Sequence, residues 1–270
     1  MEDPLRPKSS KAMGEQKKGS SVFSHLDEQV LISKYISELG IESRTCVDIA
    51  ASDGVTMSNT YSLFSDGWKG LAVEYDNRKF ARLAHTYAAF SGVNLAKCKV
   101  TPENAVWLLK ANQLPTTIGF LSLDIDGYDY FVLEQILSEF RPRLICVEVN
   151  EKIPPPIKFS VKWNPNYFWK VDHFYGQSIS QLYTLCLRFQ YSLVELHYNN
   201  AFLIPSESNL YSSLTPEVAY EEGYLNRPDR KEKFPWNADM EVLLSLPPEE
   251  AVAFVKQYFS SREGEFVCSL

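Results

Sequence analysis

The strongest constraint in this chain is an alternation. Apolar runs of five to seven residues, 46–50 (CVDIA), 70–75 (GLAVEY), 118–124 (IGFLSLD) and 143–149 (RLICVEV), alternate with stretches of helical periodicity. Unbroken apolar strands separated by helices predict a mostly parallel sheet covered on both faces. Helices are expected over 26–39, 57–65, 78–90, 102–112, 128–139 and 178–189, with a weaker strand at 97–101. Pro102 after Thr101 marks a helix start, and Ser178 with Gln181 three residues on fits a capping box. Two late strands, 191–197 and 201–204, predict an antiparallel hairpin at the sheet edge.

The alternation is interrupted twice. Residues 1–20 are polar and Lys/Ser-rich and read as a disordered tail. Residues 151–177 carry many prolines and aromatics without a period, and read as a long loop or lid. Residues 206–270 read as a helical or irregular appendage, with a helix near 248–260, after a main domain over 21–205. A net charge of −7 argues against a duplex nucleic-acid binder, which must neutralise phosphates. None of the five cysteines makes a CxxC pair, so buried core thiols are expected. The N-terminus lacks an apolar leader and no run reaches membrane-spanning length, so a cytoplasmic protein is expected.

Open sheets of this type bind ligands at the carboxyl ends of their strands. The first strand, which carries Asp48, runs into Ala50-Ala51-Ser52-Asp53-Gly54. A dinucleotide site wants three glycines there, so that backbone amides can approach a pyrophosphate. One glycine among small residues suits S-adenosylmethionine, which has no phosphate and carries an ammonium that carboxylates can receive. Glu74, twenty positions after Gly54 at the end of the next strand, is placed to accept hydrogen bonds from a ribose diol. Residues 99–104 fall where the third strand should end, with nothing diagnostic for adenine.

The runs CVDIAASDGVTMSNT, GWKGLAVEYD, FLSLDIDGYDYFVLEQI, RPRLICVEVN and GQSISQLYTL…YSLVELHYNNAFLIP stand in one order over residues 40–205. Together they resemble class I S-adenosylmethionine-dependent methyltransferases, and among them the FkbM-like group. The sequence departs from that pattern at Ala50, where the family usually has Gly, and at Asp126, where it often has Glu. The resemblance implies a Rossmann-like class I methyltransferase fold, S-adenosylmethionine as cofactor, and methyl transfer to a hydroxyl of a sugar or natural product. Cofactor contacts are expected from Asp48, the turn 50–54, Glu74 and Asp124.

Asp124 ends the fourth strand, followed by Asp126 and Asp129, and Glu148 and Asn150 end the fifth. Asp124 with Glu148 and Asn150 forms an oxygen-rich set suited to Mg²⁺ or another divalent cation. The competing reading gives Asp124 to the cofactor, Asp126-Gly127 to a turn and Asp129 to a helix cap. Methyl transfer to a hydroxyl needs a base. His173, beside Asp172 in the aromatic loop, is the expected one, with Asp124 and Asp126 as further catalytic candidates. Trp163, Tyr167, Phe168, Trp169, Phe174 and Tyr175 either stack on an acceptor or form a small core that orders the loop.

The expected partner is a small-molecule or saccharide acceptor, with no nucleic acid and no membrane; a homo-oligomer is compatible with the reading. Three alternatives stand beside it. Asp124-Ile125-Asp126 is a DxD of the kind that metal-dependent glycosyltransferases use, a nicotinamide oxidoreductase lacks its glycines here, and a non-catalytic scaffold could use the acidic, aromatic C-terminal segment as an interaction arm.

Overall fold

The computed structural model describes residues 23–270; the tail expected over 1–20 lies outside them. Seven strands form one sheet: β1 (Thr45–Ile49), β2 (Lys69–Glu74), β3 (Val93–Lys97), β4 (Phe120–Leu123), β5 (Leu144–Glu148), β7 (Tyr191–His197) and β8 (Asn200–Pro205). Their order is β3-β2-β1-β4-β5-β8-β7. Strands β1 to β5 are parallel, and β8 runs antiparallel to both β5 and β7. The Rossmann-like architecture and the C-terminal antiparallel hairpin are therefore those the sequence predicts. The chain steps outward from β1 to β3 and then returns to β4, so the switch in direction opens a crevice between the carboxyl ends of β1 and β4.

Helices α1 (Glu28–Glu38), α2 (Tyr61–Ser65), α3 (Asn77–Tyr87), α4 (Ala105–Ala111), α5 (Asp129–Glu139) and α6 (Ile179–Phe189) cover the sheet. Two apolar clusters result. One includes Ile32, Phe64, Leu83 and Phe120, the other Val47, Leu121, Val132, Ile136 and Leu182. The unbroken apolar strands are explained by this double cover, since both sides of β1, β4 and β5 are buried.

Local chemistry shifted several boundaries. The strand expected at 97–101 lies at Val93–Lys97, because Val93 to Lys97 pair with Gly70 to Glu74 of β2. The helix expected from 57 begins at Tyr61, and the one expected from 102 begins at Ala105. Before the latter, Asn104 folds back through Oδ1, which accepts from Thr101 N at 2.8 Å. Ser178 caps α6 as its sequence predicts, accepting from Gln181 N at 3.2 Å.

The loop 151–177 contains a strand, β6 (Lys158–Val161), which pairs antiparallel with β9 (Phe266–Ser269) near the C-terminus. Residues 206–270 carry the short helices α7 (Pro216–Tyr220) and α8 (Arg230–Lys233), and α9 (Pro248–Tyr258). Their buried side chains Tyr224, Phe234, Val255 and Phe259 belong to the same apolar cluster as Leu121 and Val147. This segment is built into the core and holds the loop in place. Cys46, Cys146, Cys186 and Cys268 are buried free thiols, as expected, and Cys98 is half-buried. Among the described residues, no helix is long and apolar enough to cross a membrane.

Candidate active site

A cavity of about 1010 Å³ opens at the carboxyl ends of β1, β2 and β4. It brings together Asp48, Ala50, Ala51, Ser52, Glu74, Asp124 and Asp126 from the expected site. Asp53 of the expected turn instead lines a separate depression of about 440 Å³, with Arg82 on α3, which touches none of these residues.

The turn after β1 is wound tightly. Ala50, Ser52 and Gly54 all take left-handed conformations, with φ of 74°, 51° and 83°. Only the third position demands glycine. A Cβ on Gly54 would lie 2.7 Å from both Leu83 Cδ1 and Tyr87 Cε1 on α3. That glycine serves the packing of the turn on α3. Most of the turn's amides are already used: Ala50 N and Ala51 N donate to Val73 O, Gly54 N donates to Ala51 O, and Val55 N and Thr56 N donate to Asp53 Oδ1. Ser52 N donates to Glu74 Oε2 at 2.9 Å, and Asp76 N donates to Glu74 Oε1 at 2.6 Å. Glu74, 6% exposed, thus clips the first turn to the second while each of its oxygens keeps a lone pair.

Beneath the turn, Thr60 Oγ1 donates to Asp48 Oδ2 at 2.5 Å. Burial pushes the Asp48 carboxyl up to about 6, against the pull of that hydrogen bond. Neither Thr60 nor the lining residues Met57 and Tyr75 was read from the sequence as part of the site. Tyr75 directly follows Glu74, and that position was signal enough to find it.

The second acidic group gathers at β4 and β5. Asp124 is open to water within the cavity, yet protein surrounds the cavity; this burial, with repulsion from Asp129, pushes its carboxyl up to about 6. Burial and the neighbouring Asp124 push Asp126 up to about 7, with Lys79 and Lys152 opposing. Glu148 is driven well above the usual carboxylate range by burial and by the charges of Asp124, Asp126 and Asp129. Asp129 has a structural task. Its carboxylate accepts from Ile125 N at 2.8 Å and Gly127 N at 3.0 Å, closing the turn that presents Asp126. Asn150 is turned to the loop, its Nδ2 donating to His173 O at 2.9 Å and Tyr175 O at 3.0 Å.

The loop 151–177 roofs the cavity with Pro165, Asn166, Tyr167, Phe168 and Trp169. Lys99, beyond β3, latches this roof by donating from Nζ to Pro165 O and Tyr167 O, each at 2.9 Å. Tyr167 Oη lies 3.0 Å from Asp126 O and 2.8 Å from Phe174 O. A Cβ on Gly127 would meet the Tyr167 ring at 2.7 Å, so the roof rests directly on the Asp126 turn. The aromatics divide their work: Tyr167, Phe174 and Tyr175 are buried as loop core, while Phe168 stays 67% exposed at the cavity.

The structure does not bring His173 to this cavity. Its Nε2 lies 3.0 Å from Asp239 Oδ1, which shares its carboxylate with Tyr258, and the ring faces Tyr258. The histidine is drawn off by the C-terminal segment, a contact that no local sequence signal announced. A buried trio was likewise unforeseen. Lys152 Nζ donates to Tyr175 Oη at 2.5 Å and lies 3.2 Å from Glu151 Oε1, while Tyr175 Oη donates to Glu151 Oε2 at 3.0 Å.

No family model matches the chain, and no curated protein matches it in sequence. Solved structures do match. A SAM-dependent methyltransferase from Aquifex aeolicus is 11% identical, with 64% of this chain and 89% of that one covered, at a TM-score of 0.39. An S-adenosylmethionine-dependent methyltransferase from Clostridium acetobutylicum is 8% identical, with 65% and 89% covered, at 0.41. The N-terminal domain of EvdMO1, with SAH bound, is 10% identical, with 67% and 82% covered, at 0.45. These are distant likenesses, and the functional reading rests on the cavity itself.

Proposed function

We propose that this chain is an S-adenosylmethionine-dependent methyltransferase of the FkbM-like kind that methylates a hydroxyl on a sugar or small natural product. One observation carries the reading. The turn below the cavity spends its amides at 50, 51, 52, 54, 55 and 56 on the protein itself, while Asp48, Glu74, Asp124 and Asp126 line the same space. A ligand bearing a pyrophosphate would meet carboxylates and no amide cradle, which counts against both a dinucleotide and a sugar-nucleotide diphosphate. A sulfonium with an ammonium and a ribose diol meets complementary charge and free lone pairs on Glu74.

The roles follow from position. Asp48 and the turn 50–54 support the cofactor, with Asp53 closing the turn through Val55 N and Thr56 N. Glu74 takes the ribose hydroxyls, and Asp124 takes the ammonium or faces the acceptor. The cavity volume of about 1010 Å³ leaves room for a small acceptor beside the cofactor. The acceptor enters under Phe168 and Trp169, and its hydroxyl proton passes to a carboxylate of the Asp124–Asp126 pair, a role for which His173 is badly placed. A divalent cation, on this reading, belongs to the acceptor side of the cavity, where Glu148 joins the two aspartates.

The test is methyl transfer itself. Purified protein with S-adenosylmethionine and a panel of sugars and hydroxylated small molecules is expected to add one methyl mass to an acceptor and release S-adenosylhomocysteine. Asp124→Ala is expected to abolish that product. Turnover of a UDP-sugar with no methylated product would overturn the reading in favour of a glycosyltransferase.

A further inference from the structure

We propose that Lys99 is a positioning residue that gates the cavity: its ammonium holds the roof shut, and its release lets ligands in and out. The roof is fastened unevenly. At one end Lys162 N donates to Glu265 O at 2.8 Å, just beyond the β6–β9 pair. At the other, His173 O accepts from Asn150 Nδ2 at 2.9 Å, and the histidine ring meets Asp239. Between them, among the described residues, no backbone–backbone hydrogen bond joins 163–173 to another segment. Among the same residues, the backbone of 164–169 is bonded from outside the roof by Lys99 Nζ alone, through Pro165 O and Tyr167 O. No described carboxylate pairs with that ammonium, so its release breaks no ion pair. A stretch held this way opens more readily than the sheet beneath it.

A second observation marks where the roof bends. Val171 is held at φ 60°, a left-handed backbone that a β-branched residue adopts only under constraint. It lies between Trp169 over the cavity and the anchored His173, and its side chain is 81% exposed. Burial of that side chain therefore does not offset the strain. The closed roof carries a cost that opening relieves, and the two bonds from Lys99 hold against it. Lys99 also joins the two halves of the cavity. It lines the space, and Cys98 N beside it donates to Glu74 O at 3.1 Å. The roof it holds carries Phe168 and Trp169 over the cavity and rests through Tyr167 on the turn of Asp126. On the methyltransferase reading, on which this step rests, closure by Lys99 sets the acceptor against the cofactor.

The first test needs no ligand. Of the five cysteines, Cys98 alone is not buried, and it lines the cavity. Its alkylation by neutral iodoacetamide, read by peptide mass spectrometry on the full chain, reports how often the roof opens. Lys99→Met is expected to speed that reaction about tenfold or more, since the closed roof loses its catch. Lys97→Met, at an exposed lysine ending β3, is expected to leave it unchanged. Val171→Gly is expected to slow it about two- to threefold, because glycine takes a left-handed backbone without strain. Circular dichroism confirms that each variant folds. Equal rates in wild type and Lys99→Met overturn the proposal, as does a Val171→Gly rate at or above that of wild type. Stopped-flow binding of S-adenosylhomocysteine, followed by tryptophan fluorescence, then tests the gate on a ligand. Association and dissociation should both rise about fivefold in Lys99→Met, while Kd moves by less than about threefold. Faster dissociation alone, with a weaker Kd, would make Lys99 a cofactor ligand and overturn the gate. Wild-type protein that shows the alkylation pattern but does not bind S-adenosylhomocysteine would refute the methyltransferase reading and leave the gate standing.

Discussion

Glu74 offers the sharpest perturbation, because its two oxygens have separate, known duties. Oε2 accepts from Ser52 N at 2.9 Å and Oε1 from Asp76 N at 2.6 Å, in a side chain only 6% exposed. Glu74→Gln preserves the shape but replaces one acceptor with an NH₂ group, so one backbone N–H faces another donor. A hydrogen bond to a charged group is worth about 1.5–3 kcal/mol, and the orphaned buried N–H adds to the loss. Destabilisation of about 2–3 kcal/mol is therefore expected, read as a fall in the urea midpoint at unchanged slope. If the same carboxylate receives the ribose diol, S-adenosylmethionine affinity should fall by about 10- to 100-fold, since every 1.4 kcal/mol is tenfold. Stability lost with affinity intact would make Glu74 a structural clip and refute its ribose role. A variant unchanged in both respects would refute the reasoning altogether.

Other residues give independent checks. The Asp48 carboxyl ionises near 6 in the folded protein but near 3.8 when unfolded. Between those values the folded form holds a proton the unfolded chain has lost, so this group's contribution is fullest below about pH 4 and is lost as pH rises through 6, by at most about 3 kcal/mol. Asp48→Asn should therefore gain stability over wild type at pH 7.5 and lose that advantage at pH 4; an equal difference at both pH values would contradict the burial argument. Lys152→Met leaves the buried Glu151 carboxylate without its cation and should cost about 3–5 kcal/mol, seen in chemical denaturation. His173→Ala should leave methyl transfer within a few-fold of wild type, because the imidazole faces Asp239; a loss of a hundredfold or more would restore it as the base.

The sheet was legible because apolar content set it. Runs such as RLICVEV and IGFLSLD are buried on both faces, and nothing but a covered, mostly parallel sheet hides them. The shared cavity was legible for a related reason: Ala50, Ala51, Ser52 and Glu74 sit at strand ends, and the topology delivers them to one crevice. What sequence could not show depends on distant contacts. His173 lies beside Asp172 in the chain, yet Asp239 and Tyr258, more than sixty residues away, decide where its ring points. The loop 151–177 hides a strand because β6 acquires its partner only at Phe266–Ser269. Residues 206–270 read as an appendage because their apolar side chains are scattered, and only folding shows Phe234 and Val255 in the same cluster as β4 and β5. The reason for the turn glycine is also a distant contact. Gly54 makes room for Leu83 and Tyr87, while Ala50 and Ser52 take up the remaining left-handed bends.

On the proposed function, the cavity above Glu74 takes a cationic adenosyl ligand without a phosphate. Calorimetric titration of the folded chain with S-adenosylmethionine, S-adenosylhomocysteine and NAD tests it most directly. Saturable binding of S-adenosylmethionine near micromolar Kd, about −8 kcal/mol, is expected, with no binding of NAD. Binding of NAD, or no heat with either adenosyl ligand in protein shown to be folded, would contradict it.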